Sequence, residues 1–332
     1  MAVVGSRRRK KRSEAQEQET DLQKLINLKD EYRSIKDDFL KEDNASYSEK
    51  IMDISTQLQI MCEQNADLIL AYFQLNHEDD YEVIQPLYTG VISEVIGSKK
   101  IADKNERIAI IAGALTHDIG MHTLKDIVSN RAVPLTPDQL ADLKLHPLRA
   151  IKYLRSAGVT NDTWIKSVQQ HHERLDGSGY PHGLKDQDIS LGAKIIAIAD
   201  IFIAMTKPHA NREGAIAKQA LTELFSSRGE KVDNELTQMF IRDMGLFPPG
   251  SVVKLINGDI ALVTHRGKTA TQPIVQSIIG PRGAPFEKPI PRNTSHNAFT
   301  IKDLESDEDY RKIAFDLAVT LWKSEKIHFS SS

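Results

Sequence analysis

The sequence predicts a mainly α-helical protein with a small β appendage towards its C-terminus. Three observations lead there. From Asp21 to about Met244, apolar residues recur at helical spacing in one segment after another. Turn residues separate those segments at intervals typical of helix bundles. After Phe247-Pro248-Pro249-Gly250 the pattern changes to short β-branched runs on either side of Asn257-Gly258, the strongest short hairpin signal in the chain.

Residues 1–20 read as a disordered basic and polar tail, because the unbroken basic run Arg7 to Arg12 leads into the polar stretch SEAQEQETD and not into an apolar signal core. Residues 21–76 form an N-terminal helical region. LQKLINLKDEYRSIKDDFL and IMDISTQLQIMCEQNADLILAYFQL keep the helical period with no Pro or Gly, and such amphipathic helices can pack on the following domain or pair between two copies. Residues 77–247 hold the bundle itself, from VIQPLYTGVISEVIG to GAIAKQALTELFSS and onward. Thr136 is placed to cap a helix that opens with Pro137. Residues 248–332 comprise the β appendage, with strands in SVVKLINGDIALVTHRG and TQPIVQSIIG, and a helix-compatible C-terminal segment.

Composition narrows the function classes. The 43 basic and 46 acidic residues of the 332 leave a formal net charge of -3, too balanced to argue for a nucleic acid polymer or a membrane surface as the main partner. No apolar run approaches membrane-spanning length, so a soluble protein is expected. The single cysteine, Cys62, can form neither an intramolecular disulfide nor a cysteine zinc site; a cytoplasmic protein is the simplest expectation.

The candidate chemistry lies in His117, Asp118, His146, His171, His172 and Asp200. These are oxygen and nitrogen donors without a thiolate, a set suited to iron, manganese or zinc in a hydrolytic site. Asp200 stands in AKIIAIADIFIAMT, where helical periodicity turns it inward, and a buried carboxylate demands a cation or strong donors. Adjacent residues on a helix project about 100° apart. On that ground the pairs His117/Asp118 and His171/His172 are each expected to address two metals, with an aspartate bridging them and a hydroxide between them as nucleophile.

His117-Asp118-Ile119-Gly120, His171-His172-Glu173 and Asp176-Gly177-Ser178-Gly179-Tyr180-Pro181 follow one another in this order. Across roughly Asp80 to Leu246 the chain closely resembles the HD-GYP family of HD-superfamily phosphohydrolases, and the combined HHExxDGSGYP string is highly specific for it. The resemblance implies an HD-type helical bundle holding two divalent metals, iron or manganese first and zinc as an alternative. It implies hydrolysis of cyclic di-GMP in bacterial signalling, with His117 and Asp118 as catalytic residues and Asp118 in the bridging role. It further implies docking of diguanylate cyclase domains at the Gly179-Tyr180-Pro181 loop, and phosphate binding by Arg212 and His209.

Three departures from the family pattern stand out. Gln85 replaces a histidine of the first core helix and offers only a neutral oxygen, which weakens the first metal site; Glu82 is a nearby carboxylate that could compensate. Met121 replaces a lysine, and His209 replaces one of two arginines, leaving Arg212 as the guanidinium available to a phosphate. These changes keep two functions in view: an attenuated cyclic di-GMP phosphodiesterase, or a degenerate domain that binds the nucleotide or docks a cyclase as a regulatory module.

Overall fold

The computed structural model describes residues 19–40, 46–124, 135–206, 217–305 and 307–324. The basic tail, His209 and Arg212 lie outside the described residues. The chain is mainly helical, with a small antiparallel sheet near the C-terminus. Among the described residues, no helix is long and apolar enough to cross a membrane.

Helices α1 (Asp21–Leu40) and α2 (Tyr47–Leu75) precede the bundle. Leu22, Leu25, Leu28, Tyr32, Ile35 and Phe39 form a stripe at helical spacing, and all are buried in the same hydrophobic core as the bundle helices. The apolar face of α1 is therefore covered within the chain. α2 bends at Asn65 (φ -156°, ψ 67°), where the Asn65 side chain accepts the Leu68 N–H at 3.3 Å and caps the second half.

The bundle is built on α3 (Tyr81–Lys100), α4 (Lys104–Thr116) and α8 (Leu191–Thr206), with α5 (Pro137–Leu143), α6 (His146–Ser156), α7 (Asp162–Gln170), α9 (Ala217–Ser227) and α10 (Asn234–Met244) around them. α3 is buried continuously from Val83 to Gly97. Thr136 and Gln139 form a capping box at the start of α5, with the Thr136 hydroxyl accepting Gln139 N–H at 3.2 Å and Thr136 N–H donating back at 3.0 Å. Inside α3, Pro86 has no N–H to offer the Glu82 carbonyl four residues back. Lys36 of α1 fills that role, reaching the Glu82 carbonyl at 3.2 Å and its carboxylate at 2.7 Å.

The sheet comprises β1 (Val252–Leu255), β2 (Ile260–His265), β3 (Ile274–Ile279), β4 (Pro285–Asn293) and β5 (Ile301–Leu304) in the order β4-β3-β2-β1-β5, all neighbours antiparallel. β1 and β2 are the two arms of the hairpin at Asn257-Gly258, with Gly258 at φ 91°. Side chains alternate between two apolar clusters. Val252, Ile260 and Leu262 join the main core, while Val253, Leu255, Ala261 and Val263 form a second cluster with Phe247 and Phe299. The closing helix α11 (Glu308–Ser324) buries Ala314 and Ala318 in the main core and sets Phe315 against Tyr72, ring centroids 6.0 Å apart.

Candidate metal centre

Three helix ends generate three oriented imidazoles. The last carbonyls of a helix have no partner within it, and a ring N–H placed just beyond can take one of them. His117 follows α4, and its Nδ1 lies 2.7 Å from the Ala114 carbonyl. His146 follows α5, with Nδ1 2.8 Å from the Leu143 carbonyl, and His171 follows α7, with Nδ1 2.7 Å from the Val168 carbonyl. In each case Nδ1–H donates three residues back, so Nε2 is the ring nitrogen that faces the interior. The end of α4 is held further by two long-range bonds: the Tyr32 hydroxyl of α1 donates to the Leu115 carbonyl at 2.6 Å, and Trp164 Nε1–H donates to the Thr116 hydroxyl at 2.7 Å.

The donors converge in two groups that share Asp118. Asp118, His146, His171 and His172 form one; His117, Asp118 and Asp200 form the other. In the first, His146 Nε2 lies 3.3 Å from His171 Nε2 and 3.4 Å from Asp118 Oδ1, and His171 Nε2 lies 4.0 Å from the same oxygen. Ligand atoms on bonds of about 2.1 Å at tetrahedral angles are roughly 3.4 Å apart, so this spacing fits a divalent cation. Two imidazole lone pairs facing each other at 3.3 Å have no proton between them, and a cation satisfies both. In the second group His117 Nε2 stands 3.5 Å from Asp118 Oδ2 and 3.7 Å from Asp200 Oδ1, again a cation-compatible spacing.

His171 and His172 fall in one candidate donor group, where angular projection along a helix would set them apart. The physical reason is local. α7 ends at Gln170, so the pair lies in a turn, where the two rings approach to 4.1 Å. Gln85, from α3, caps the second group: its amide nitrogen lies 2.9 Å from His117 Nε2, 2.9 Å from Asp200 Oδ1 and 3.4 Å from Asp118 Oδ2. Glu82 does not fill in for it, since its carboxylate is held by Lys36 and belongs to neither donor group.

Without a cation the site polarises its own histidines. Burial opposes charge on His117, but the Asp118 and Asp200 carboxylates outweigh it and lift the imidazole to about 9. Asp200 is pulled the other way, to about 2, because His117 and the Gln85 amide overcome the cost of its burial. His172 is pushed down to about 4 by burial, and burial also lowers His146 and His171. A protonated His117 Nε2 and the Gln85 N–H cannot both donate along the same 2.9 Å line. The charge of two carboxylates is the stronger influence, so in the cation-free site His117 carries the proton and Gln85 keeps Asp200 as its acceptor.

The loop after His172 is locked from beneath. Glu173 is buried and accepts the His182 N–H at 2.7 Å and the Leu184 N–H at 2.9 Å, one on each oxygen. Tyr180 N–H returns to the His172 carbonyl at 3.2 Å, and the Tyr180 ring lies 4.7 Å from the His172 ring. A Cβ on Gly179 would stand 2.5 Å from both the Glu173 Cα and the His172 carbonyl oxygen, so only glycine allows this approach. Tyr180-Pro181 is a cis peptide. Gly120 serves the same end elsewhere: a Cβ there would run into the His146 carbonyl oxygen and lie 2.8 Å from the Ala150 nitrogen. The 3-10 turn Ile119–Leu124 thus seats directly on the start of α6, bringing Asp118 to His146. Sequence reasoning missed the roles of Glu173, Gly120 and Tyr32. Glu173 and Gly120 lie inside the motifs His171-His172-Glu173 and His117-Asp118-Ile119-Gly120, whereas nothing local marks Tyr32.

All six sequence-derived metal-ligand candidates therefore meet at one place. Comparison with known proteins agrees with the fold and the motifs. A model of the HD domain family matches residues 82–236. Cyclic di-GMP phosphodiesterase PA4108 of Pseudomonas aeruginosa is 27% identical over 252 residues, covering 75% of this chain and 59% of the relative. The cyclic di-GMP phosphodiesterase response regulator RpfG of Xanthomonas campestris is 33% identical over 156 residues, 46% of this chain and 40% of the relative. This chain thus spans about half the length of these relatives. Among solved structures, Bd1817, a HDG"Y"P protein from Bdellovibrio bacteriovorus, superposes with a TM-score of 0.56 at 18% identity, covering 68% of this chain and 73% of that one. Residues 82–236 thus match the HD domain family model, and the HHExxDGSGYP string stands within that matched stretch on a fold similar to that of an HDG"Y"P protein.

Proposed function

We propose that this protein is a metal-dependent phosphodiesterase that hydrolyses cyclic di-GMP. The observation that carries the reading is the convergence of His117, Asp118, His146, His171, His172 and Asp200 in two donor groups sharing Asp118. Divalent cations in such a site supply Lewis acidity to a phosphoryl oxygen and lower the pKa of water.

The chain's own residues support that chemistry in three ways. The Nδ1 bonds to helix-end carbonyls fix the tautomer and tilt of three imidazoles before any ligand arrives. Asp118 and Asp200 are the only anions in the donor groups, so two dications would exceed their charge by two and leave a positive centre for an anionic phosphodiester. Access is one-sided: the Asp118 side chain is 35% exposed, while those of His117 and His171 are sealed and that of His146 nearly so. The Tyr180 ring lies 4.7 Å from that of the half-buried His172, so the phosphate approaches on the face where Asp118 and His172 reach solvent. We assign phosphate contacts to Arg212 and His209, and cyclase docking to Gly179, Tyr180 and Pro181, on sequence grounds.

The test is to purify the protein with manganese or iron and follow cyclic di-GMP by chromatography. Asp118→Asn keeps the shape of the site but removes a shared anion, and should lower turnover at least 100-fold, about the loss of 3 kcal/mol of transition-state stabilisation. Turnover unaffected by Asp118→Asn ends the metal-centre reading. Tight nucleotide binding with no turnover by the wild type would favour the regulatory-module reading, for which the replacement of a strong ligand by Gln85 is the motivating observation.

A further inference from the structure

We infer that Gln85 is itself a ligand of the second cation site, through its side-chain oxygen, and that it makes this site the weaker and harder of the two. The inference rests on the metal-centre reading above. Gln85 is only 3% exposed and its terminal amide faces His117 Nε2, Asp118 Oδ2 and Asp200 Oδ1 together, at 2.9, 3.4 and 2.9 Å.

The amide is held for this task. Its backbone carbonyl accepts the Thr89 hydroxyl at 2.8 Å. The next residue, Pro86, leaves the Glu82 carbonyl to Lys36, so α1 braces the turn of α3 that carries Gln85. What remains free is the terminal torsion, whose half-turn exchanges nitrogen for oxygen in nearly the same volume. With nitrogen inward, the amide donates to carboxylates that have no cation. With oxygen inward, it joins His117, Asp118 and Asp200 in a set of one nitrogen and three oxygens.

The two sites then differ in chemistry. Asp118, His146, His171 and His172 offer three imidazoles and one carboxylate, which suits zinc or ferrous iron. The Gln85 site is oxygen-rich and holds its cation through one neutral amide, which suits manganese or magnesium and binds less tightly. The chain would therefore fill its sites in order, and its second site would respond to the supply of hard cations.

Manganese titration of the full chain, followed by calorimetry and by the electron paramagnetic resonance of bound Mn²⁺, tests this. The wild type should show two binding events, with spin coupling appearing only at the second. Gln85→Ala should weaken the second event by about 10–100-fold and leave the first in place. Gln85→Glu, which preserves shape and adds a charge, should tighten the second by about tenfold and guards against a variant that merely misfolds. One event in the wild type, or a second event indifferent to both substitutions, overturns the inference. The two readings fail separately. Two manganese ions bound as described without hydrolysis of cyclic di-GMP would end the phosphodiesterase reading alone. Hydrolysis with a metal count independent of Gln85 would end the ligand assignment alone.

Discussion

Gly120→Ala is the most economical way to ask whether backbone contact, and not donor chemistry alone, sets this metal centre. The added Cβ meets backbone on the facing element: the His146 carbonyl oxygen and, at 2.8 Å, the Ala150 nitrogen. An ordinary contact there is about 3.5 Å, so the 3-10 turn must withdraw from α6 by roughly 0.7 Å or more. Overpacking of that kind costs about 1–3 kcal/mol. The loss of unfolded-state freedom on replacing glycine returns about 0.4–1 kcal/mol, for a net loss of about 1–2 kcal/mol. The site feels more than the global stability does. Asp118 lies two residues from Gly120, and the contact runs to His146 itself, so the 3.4 Å gap between Asp118 Oδ1 and His146 Nε2 widens. Affinity for the first cation should fall by about 10–100-fold. Calorimetric metal titration beside a thermal melt of the metal-free protein reads both effects. Gly158→Ala is the control: Gly158 has φ 82° and nothing within 4 Å, so the substitution should cost about 1 kcal/mol of stability and leave metal affinity alone. Wild-type metal affinity in Gly120→Ala, even with a lowered melt, would refute the coupling of turn to site.

The metal-free protein should be most stable near pH 6.5. His172 folds at about 4 against an ordinary 6.5, so its contribution is lost as pH falls from 6.5 towards 4, and the lowered His146 and His171 steepen that limb. His117 folds at about 9, so its contribution is complete below 6.5 and disappears as pH rises to 9; each limb is worth about 3 kcal/mol. Urea midpoints measured across pH with a chelator check this, and a steady rise from pH 6.5 to 9 would contradict it; added metal should remove the alkaline decline by replacing the proton on His117. Glu173→Gln places an amide against two backbone N–H groups where a carboxylate accepted both, and should cost about 1–3 kcal/mol while speeding amide exchange at Leu184, with metal stoichiometry unchanged. A loss of metal in Glu173→Gln would mean that the loop also sets ligand geometry.

The helices were legible because their signal is local. Apolar spacing, the Thr136-Pro137 start and the Asn257-Gly258 hairpin each act within a few residues. The bend at Asn65 was not visible in an uninterrupted helical period, since an asparagine becomes a cap only where packing ends the preceding turn. β4, rich in proline and charge, and the short β5 carry almost no alternation of their own and are specified by pairing with β3 and β1.

By itself, the sequence determined the six candidate donors and the family resemblance, because residue type and motif order need no coordinates. It could not determine how the donors divide. Angular projection along a helix does not apply to His171 and His172, since helix α7 stops at Gln170 and the two rings approach to 4.1 Å in the turn beyond it. Tertiary structure alone decided that Asp118 is shared, that helix-end carbonyls select the imidazole tautomers, and that the Gln85 amide faces His117 and Asp200. Those contacts join residues 32 and 115 positions apart in the chain, and only the packing of α3, α4 and α8 against one another brings them within a hydrogen bond's reach.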